Sequence, residues 1–203
     1  MKTINSIDEL LALIVTNKDY NAKFLNTLSL MELCGAKKLA DNSKYFGFDN
    51  FFLEHIAEEF RHAFFLRHLA QKISKVLINN YDDTQLFCAK ESRSYIHSID
   101  RAVCVALRLY KNDIKIYRLA YFLTTLVIER RAMSFYKLYQ QVLDDYKVGI
   151  SVRSIISEEE DHLSYMENEI KILSLPNKII DKAIFAEEKF FTIWFNALIV
   201  SLT

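Results

Sequence analysis

The scarcity of glycine and proline constrains this chain more than any other feature. Its 203 residues contain three glycines and one proline. β-Rich and α/β folds reverse direction at many turns, and those turns depend heavily on these two residues. Long helices joined by few loops are therefore expected. Hydrophobic residues make up 51% of the chain, which is enough to bury a sizeable core, so the sequence predicts one all-α domain over residues 1–203.

Apolar residues recur at helical spacing in four long stretches, at about 18–42, 49–79, 113–146 and 151–173. Segment 79–112 has a weaker pattern that re-forms as a helix near 94–110. A connection of this length suits a four-helix bundle with one long crossover, because the helices on either side of a crossover run parallel. We therefore expect a core bundle at about 18–173, with a flanking N-terminal helix and an extra aromatic-rich C-terminal helix at 174–203.

Local signals mark the ends of several predicted helices. Ser6 opens a capping box, and Asp49 and Ser151 are expected N-caps. Gly149 predicts the end of one long helix, and Pro176 predicts the start of the last one.

Two Glu-x-x-His motifs, a hundred residues apart, indicate chemistry. On a helix, a carboxylate and an imidazole at this spacing share one face. Each motif follows a lone glutamate in an apolar helical stretch. Four carboxylates and two imidazoles on four helices form the ligand set of a two-metal site inside a bundle. The six candidate metal-binding and catalytic residues are Glu32, Glu59, His62, Glu129, Glu159 and His162.

A buried, ionised glutamate is costly unless it is paired or bound to metal. Oxygen and imidazole ligands suit iron or manganese better than thiol-seeking metals. The alternative is a metal-free structural bundle with the same residues in its core. Among the neighbours, we expect Glu58 at the surface or beside a ligand, and Glu158 and Glu160 in solvent. We expect His55 to be a hydrogen-bonded core histidine, and the alternative is an extra ligand or a hydrogen-bond donor to a ligand.

The six positions resemble the ligand pattern of the ferritin-like di-iron carboxylate superfamily over about residues 18–173. That resemblance implies terminal ligands at Glu32 and Glu129, bridging ligands at Glu59 and Glu159, and one histidine for each iron. Two elements carry closer likenesses. The run 58–62 is similar to the Glu-Glu-x-Arg-His element of acyl-carrier-protein desaturases. The stretch 128–165 resembles the second half of bacterial tRNA hydroxylases.

By this resemblance, we expect a non-haem di-iron oxidoreductase of the oxygenase or oxidase type. It would activate dioxygen to oxidise or hydroxylate a small organic substrate. The aromatic C-terminal helix favours an apolar or aromatic substrate. The implied cofactors are two iron ions, with manganese or a mixed Mn/Fe pair left open, and the implied partner is an external electron donor. Two alternatives stay open: iron binding or peroxide detoxification without an organic substrate, and tRNA-hydroxylase-like RNA modification.

Charge and cysteine content bear on partners and compartment. Lys+Arg and Asp+Glu are balanced at 26 each, so no global field favours nucleic acid, which is expected as a partner only under the tRNA alternative. Three cysteines without a CxxC motif favour reduced thiols in the cytoplasm. The start lacks a signal-peptide pattern, and the longest uncharged stretch, 190–203, is too short to span a membrane. A homodimer is left open.

Overall fold

The computed structural model describes residues 6–46, 49–75, 77–108 and 115–202. Within these ranges the chain forms seven α-helices, one short 3-10 turn at Asp83–Gln85 and no strand, which confirms the all-α prediction. None of these helices is long and apolar enough to cross a membrane. The helices are α1 (Ile7–Thr16), α2 (Lys18–Phe46), α3 (Asn50–Ile73), α4 (Ala89–Leu107), α5 (Lys115–Asp145), α6 (Arg153–Ile172) and α7 (Asn177–Leu202).

Contacts between helices reveal their directions. His62 on α3 meets Glu158 on α6, and His162 on α6 meets Glu58 on α3, each at 2.7 Å between nitrogen and oxygen. Residue numbers rise along one helix as they fall along the other, so α3 and α6 are antiparallel. Short connections make α2 and α3, and likewise α5 and α6, antiparallel neighbours. It follows that α3 and α5 run in the same direction.

Helix α4 carries the chain back along the bundle between α3 and α5. The Thr27 hydroxyl on α2 accepts a hydrogen bond from the Phe87 amide at 2.8 Å, and Lys38 pairs with Asp100 on α4 at 2.7 Å. Because residue numbers rise together in these pairs, α4 is parallel to α2. The expected crossover, 79–112, thus contains α4, which begins at Ala89 rather than near residue 94; residues 109–112 lie outside the described part of the chain.

Several predicted helix ends are borne out and others shift. Ser6 accepts a hydrogen bond from the Glu9 amide at 3.2 Å, and Asp49 accepts one from the Phe52 amide at 2.8 Å, so both caps are confirmed. The cap expected at Ser151 was wrong by one residue, because α6 begins after Val152.

The predicted helical segment at 74–79 was also wrong, because α3 ends at Ile73 and Ser74 has an extended backbone. Side chains supply the hydrogen bonds that the helix would have made. Gln71 donates to the Ile78 carbonyl at 2.8 Å, and Gln85 accepts from the Asn79 amide at 3.2 Å. Because side chains hydrogen-bond the backbone N–H and C=O groups of this loop, the loop is as favourable as a further turn of helix.

A buried ion pair holds α7 against α4 and α5. Arg131 on α5 donates two hydrogen bonds to the Glu187 carboxylate on α7, each 2.8 Å long. Tyr95 on α4 donates a third hydrogen bond to the same carboxylate, which is almost fully buried. Nearby, the Trp194 indole donates to the Ser92 hydroxyl at 2.9 Å. Helix α7 is therefore packed and hydrogen-bonded against α4 and α5 as part of the same domain.

Replacing Glu187 with alanine is expected to lower the free energy of unfolding by about 3 kcal/mol, because Arg131 and Tyr95 then lose their shared acceptor. Urea unfolding measures the change. The exposed neighbour Glu188 is the matched control, and its alanine variant should differ from the wild type by less than about 0.5 kcal/mol. Equal losses in the two variants would show that the buried pair has no special role.

Candidate metal centre

The structure brings the six predicted residues together between α2, α3, α5 and α6. Their side chains, together with that of His55, form two groups of four residues. Within each group, every residue offers one ligand atom, and these four atoms all lie within 4.8 Å of one another. Glu59 belongs to both groups. All members are buried except Glu32, which is half-buried and lines a cavity. The first group is Glu32, Glu59, His62 and Glu159, and the second is His55, Glu59, Glu129 and His162.

Each motif histidine is oriented by a glutamate from the opposite helix. His62 Nε2 lies 2.7 Å from a Glu158 oxygen, and His162 Nε2 lies 2.7 Å from a Glu58 oxygen. A proton shared along these contacts leaves Nδ1 as the ring atom that faces inward. The Nδ1 atoms of the two rings lie 3.3 and 3.5 Å from the carboxylate oxygens of Glu159. A carboxylate on the outer nitrogen is the usual way in which proteins orient a metal-binding histidine.

Arg61 joins the two outer glutamates on the surface side of the cluster. Its guanidinium lies 3.2 Å from a Glu58 oxygen and 2.6 Å from a Glu158 oxygen. The expectation that Glu158 is solvated was therefore wrong, because it contacts both His62 and Arg61. The signal that could have found it is that both motifs read Glu-Glu-x-x-His. By contrast, Glu160 is exposed as expected.

His55 adds a third imidazole to the cluster. Its side chain is fully buried, and its Nδ1 lies 3.2 Å from the Tyr121 hydroxyl, as expected of a hydrogen-bonded core histidine. Its Nε2, however, has no hydrogen-bond partner among the described residues. That nitrogen lies 3.5 Å from a Glu59 oxygen and 3.4 Å from a Glu129 oxygen. The sequence favoured a core histidine over an extra ligand, and the position of this second nitrogen fits the ligand alternative as well.

Buried polar atoms without partners are concentrated in the cluster. Most buried polar groups in folded proteins are hydrogen-bonded, and leaving one unsatisfied costs about 1–3 kcal/mol. Within the described part of the chain, six such atoms face one another here. A cation between them would satisfy all of them at once, so the donor set fits a metal. The atoms are His55 Nε2, Glu59 Oε1, His62 Nδ1, both carboxylate oxygens of Glu159, and His162 Nδ1.

The carboxyl groups respond in different ways to burial. Burial raises the pKa of Glu32 well above its usual value, and the nearby carboxylates of Glu59 and Glu159 raise it further. Burial and the Glu159 carboxylate likewise raise the pKa of Glu129. For Glu59, burial is outweighed by the surrounding imidazoles, above all His55, and its pKa falls to about 2. Without metal, the cluster therefore holds both protonated and ionised glutamates.

The imidazoles of His55 and His62 are held in their protonated form. Burial alone would lower the pKa of His62, but the carboxylates of Glu159, Glu59 and Glu32 outweigh it and raise that pKa from 6.5 to about 10. The carboxylates of Glu129 and Glu59 have the same effect on His55, whose pKa also rises to about 10. At neutral pH, both rings carry a proton that a metal ion would have to displace.

Metal binding is therefore expected to release protons and to strengthen as the pH rises from about 6.5 towards 10, because a metal binds only the neutral imidazole. Calorimetric titration with Mn(II) at neutral pH, in two buffers of different ionisation enthalpy, measures the protons released. The exposed residue His68 on α3 is the matched control, and His68→Ala should release as many protons as the wild type. Equal heats in both buffers would contradict the expectation.

Tyr136 ties the cluster to α5. Its hydroxyl donates a hydrogen bond to Glu32, across the space between α5 and α2. Burial raises the pKa of Tyr136 well above its usual value, and the Glu32 carboxylate adds to this rise. Tyr136 therefore stays protonated at neutral pH and serves as a fixed hydrogen-bond donor to one candidate ligand.

No family model, curated protein or solved structure matches the chain. It is all-helical over its described residues, and a buried cluster of histidines and glutamates could bind metal. This arrangement is compatible with a ferritin-like fold.

Proposed function

We propose that the chain is a ferritin-like, non-haem di-iron oxidoreductase that uses dioxygen to oxidise an organic substrate. The observation that supports this proposal most strongly is the set of buried, inward-facing donor atoms without partners on α3 and α6. Carboxylates from α2 and α5 complete the set. The donors are oxygens and imidazole nitrogens, which suit iron or manganese, and no cysteine belongs to either group of the described cluster.

The geometry suggests how the donors divide between two ions. Glu59 belongs to both groups and would help to hold both ions. Both oxygens of Glu159 lack hydrogen-bond partners and lie against the imidazoles of His62 and His162, so Glu159 would also help to hold the ions. We assign His55 Nε2 as an additional nitrogen ligand. The two ions would then differ in their surroundings, with two imidazoles near one ion and one near the other.

A pair of ferrous ions supplies the electrons for dioxygen reduction. The protein residues around the pair have distinct tasks. Glu58 and Glu158 hold the outer protons of the two motif histidines and thereby fix which ring nitrogen faces inward. Tyr136 holds a proton at the oxygen that contacts Glu32. The apolar core around the cluster limits the entry of water.

Metal analysis combined with oxygen uptake tests the proposal. Wild-type protein expressed with iron and manganese should contain about two ions per chain, and the reduced iron form should consume dioxygen. Glu59→Ala/Glu159→Ala should lose both properties. Glu160→Ala is the matched control, because this glutamate adjoins the motif but is exposed and pairs with Lys137 at 2.6 Å.

Two outcomes would contradict the proposal. A wild type that stays folded without metal, even after exposure to ferrous iron, would leave a metal-free structural bundle. Continuous oxidation of ferrous iron, with no acceleration by any organic compound, would favour iron binding or peroxide detoxification instead.

A further inference from the structure

A cavity of about 100 Å³ adjoins the metal-binding cluster and reaches it at Glu32, Glu59 and Glu129. It lies between α2, α4, α5 and α7, and its outer wall is formed by residues outside the four site helices. An apolar cavity of about 150 Å³ is large enough to bind benzene. The cavity here has about two thirds of that volume, so a single ring is the upper limit of what it holds without rearrangement, either as a whole molecule or as one segment of a longer one.

The walls of the cavity are largely apolar. Helix α7 contributes Phe191 and Trp194, α4 contributes Ile96, and α2 contributes Leu28 and Leu39. Cavities lined in this way tend to exclude water and to bind apolar molecules. The aromatic C-terminal helix, which the sequence associated with an apolar substrate, thus supplies one side of the space next to the cluster.

Small residues keep the cavity open towards the carboxylates. A Cβ atom at Gly35 would lie 3.3 Å from Glu59 Oε2 and 3.7 Å from the Cδ1 atom of Ile96, so a side chain there would narrow the junction between cavity and cluster. Ala132 on α5 also lines the cavity, whereas the buried Ala36 does not.

Both cations among the described lining residues are already paired. Lys38 lies 2.7 Å from an Asp100 oxygen, and Arg131 makes two 2.8 Å hydrogen bonds to Glu187. An anionic ligand would have to displace one of these carboxylates. Burying an ionised group without a partner is expensive, so the cavity favours an uncharged ligand.

A fully buried hydroxyl on the wall is available to a ligand. Thr124 on α5 lines the cavity and is 3% exposed, and its hydroxyl has no hydrogen-bond partner among the described residues. The tyrosine hydroxyls in the same wall are engaged, because Tyr95 donates to Glu187, Tyr136 donates to Glu32, and Tyr121 contacts His55. A ligand with a single hydroxyl or carbonyl group would satisfy Thr124.

We propose that this cavity is the substrate site and that it binds an uncharged, largely apolar molecule of about aromatic-ring size, whose one hydroxyl or carbonyl group hydrogen-bonds to Thr124. This inference rests on the proposed function for the role of substrate. The binding site itself does not depend on it, because ligand binding can be measured without turnover. The site lies next to Glu32 and Glu59, where a bound molecule would adjoin the metal ions.

The fluorescence of Trp194, the only tryptophan in the chain, provides a direct test, because this residue lines the cavity. Four probes of similar shape differ in charge and hydrogen bonding: benzyl alcohol, toluene, benzoate and benzylammonium. They are titrated anaerobically into the protein as isolated, with metal content measured on the same sample. Benzyl alcohol should bind most tightly, toluene a few-fold more weakly, and both ions at least about tenfold more weakly.

Three variants locate the binding. In Thr124→Val, which keeps the shape but removes the hydroxyl, the preference for benzyl alcohol over toluene should disappear. Ala132→Leu fills the cavity and should weaken both neutral probes at least about tenfold. Ala186→Leu, on a half-buried alanine of α7 outside the cavity lining, should bind like the wild type. If Ala132→Leu fails to fold, the Thr124→Val comparison still decides the matter.

Several results would overturn the inference: no saturable binding of either neutral probe, ions that bind as tightly as benzyl alcohol, or an unchanged preference in Thr124→Val. The metal measurement separates this inference from the proposed function. Probe binding by a chain that never takes up metal would keep the cavity site and reject the oxidoreductase. Metal uptake without probe binding would do the opposite.

Discussion

Mn(II) is expected to raise the thermal unfolding midpoint of the metal-free protein by at least about 8 °C when free metal exceeds its dissociation constant about a thousandfold. Binding of one ion to the folded state alone contributes about 4 kcal/mol at that concentration, a second ion adds to this, and each kcal/mol shifts the midpoint of a chain of this size by about 2–4 °C. The folded chain offers a prearranged set of donors, whereas the unfolded chain has none. Thermal unfolding followed by circular dichroism measures the shift.

The variants make this expectation specific. Glu59→Ala/Glu159→Ala should shift by less than about 2 °C at the same metal concentration, because two carboxylates that would help to hold the ions are gone. Glu160→Ala should retain the full shift, since Glu160 is exposed and faces Lys137. A double variant stabilised as strongly as the wild type would show that Mn(II) binds elsewhere on the chain.

The centre of the site could be predicted because its motifs are local. Glu59 and His62 are three residues apart, and a helix places such side chains on one face whatever the rest of the fold does. The same holds for Glu159 and His162, and the surrounding apolar periodicity predicted that these faces turn inward. The structure does bring all of these residues together.

Contacts between distant helices could not be predicted in the same way. The contacts of Glu158 with His62, and of Glu58 with His162, depend on the antiparallel register of α3 and α6. Neither helix specifies that register by itself. His55 was harder still, because its role depends on Glu129 of α5 approaching one of its nitrogens while Tyr121 occupies the other.

The outer helices show the same limit. Arg131 lies two residues after Glu129 on α5, but its partner Glu187 lies 56 residues further along the chain. Aromatic residues on α7 predicted an apolar face without indicating what that face covers. The cavity next to the cluster emerges only when α4 and α7 pack against α2 and α5.

Glu129→Gln and Glu59→Gln are expected to affect the stability of the metal-free protein very differently. Burial and the neighbouring Glu159 carboxylate hold the pKa of Glu129 well above its usual value, which favours its neutral form, so glutamine should cost less than about 1 kcal/mol. Glu59 is ionised and paired with the imidazoles of His55 and His62, with a pKa of about 2 rather than 4.5. Its contribution is present above pH 4.5 and is lost as the pH falls towards 2. Glutamine removes it at neutral pH, at a cost on the order of 3 kcal/mol.

The two substitutions should weaken Mn(II) binding to a similar extent. Each variant loses an anionic oxygen ligand, and we expect each to weaken Mn(II) binding by at least about a hundredfold, more than the loss of a neighbouring orienting group would cause. Urea unfolding of the metal-free proteins at neutral pH, together with Mn(II) titration, measures both effects. A purely structural network predicts a different pattern, in which stability falls and Mn(II) has no effect on either variant or on the wild type.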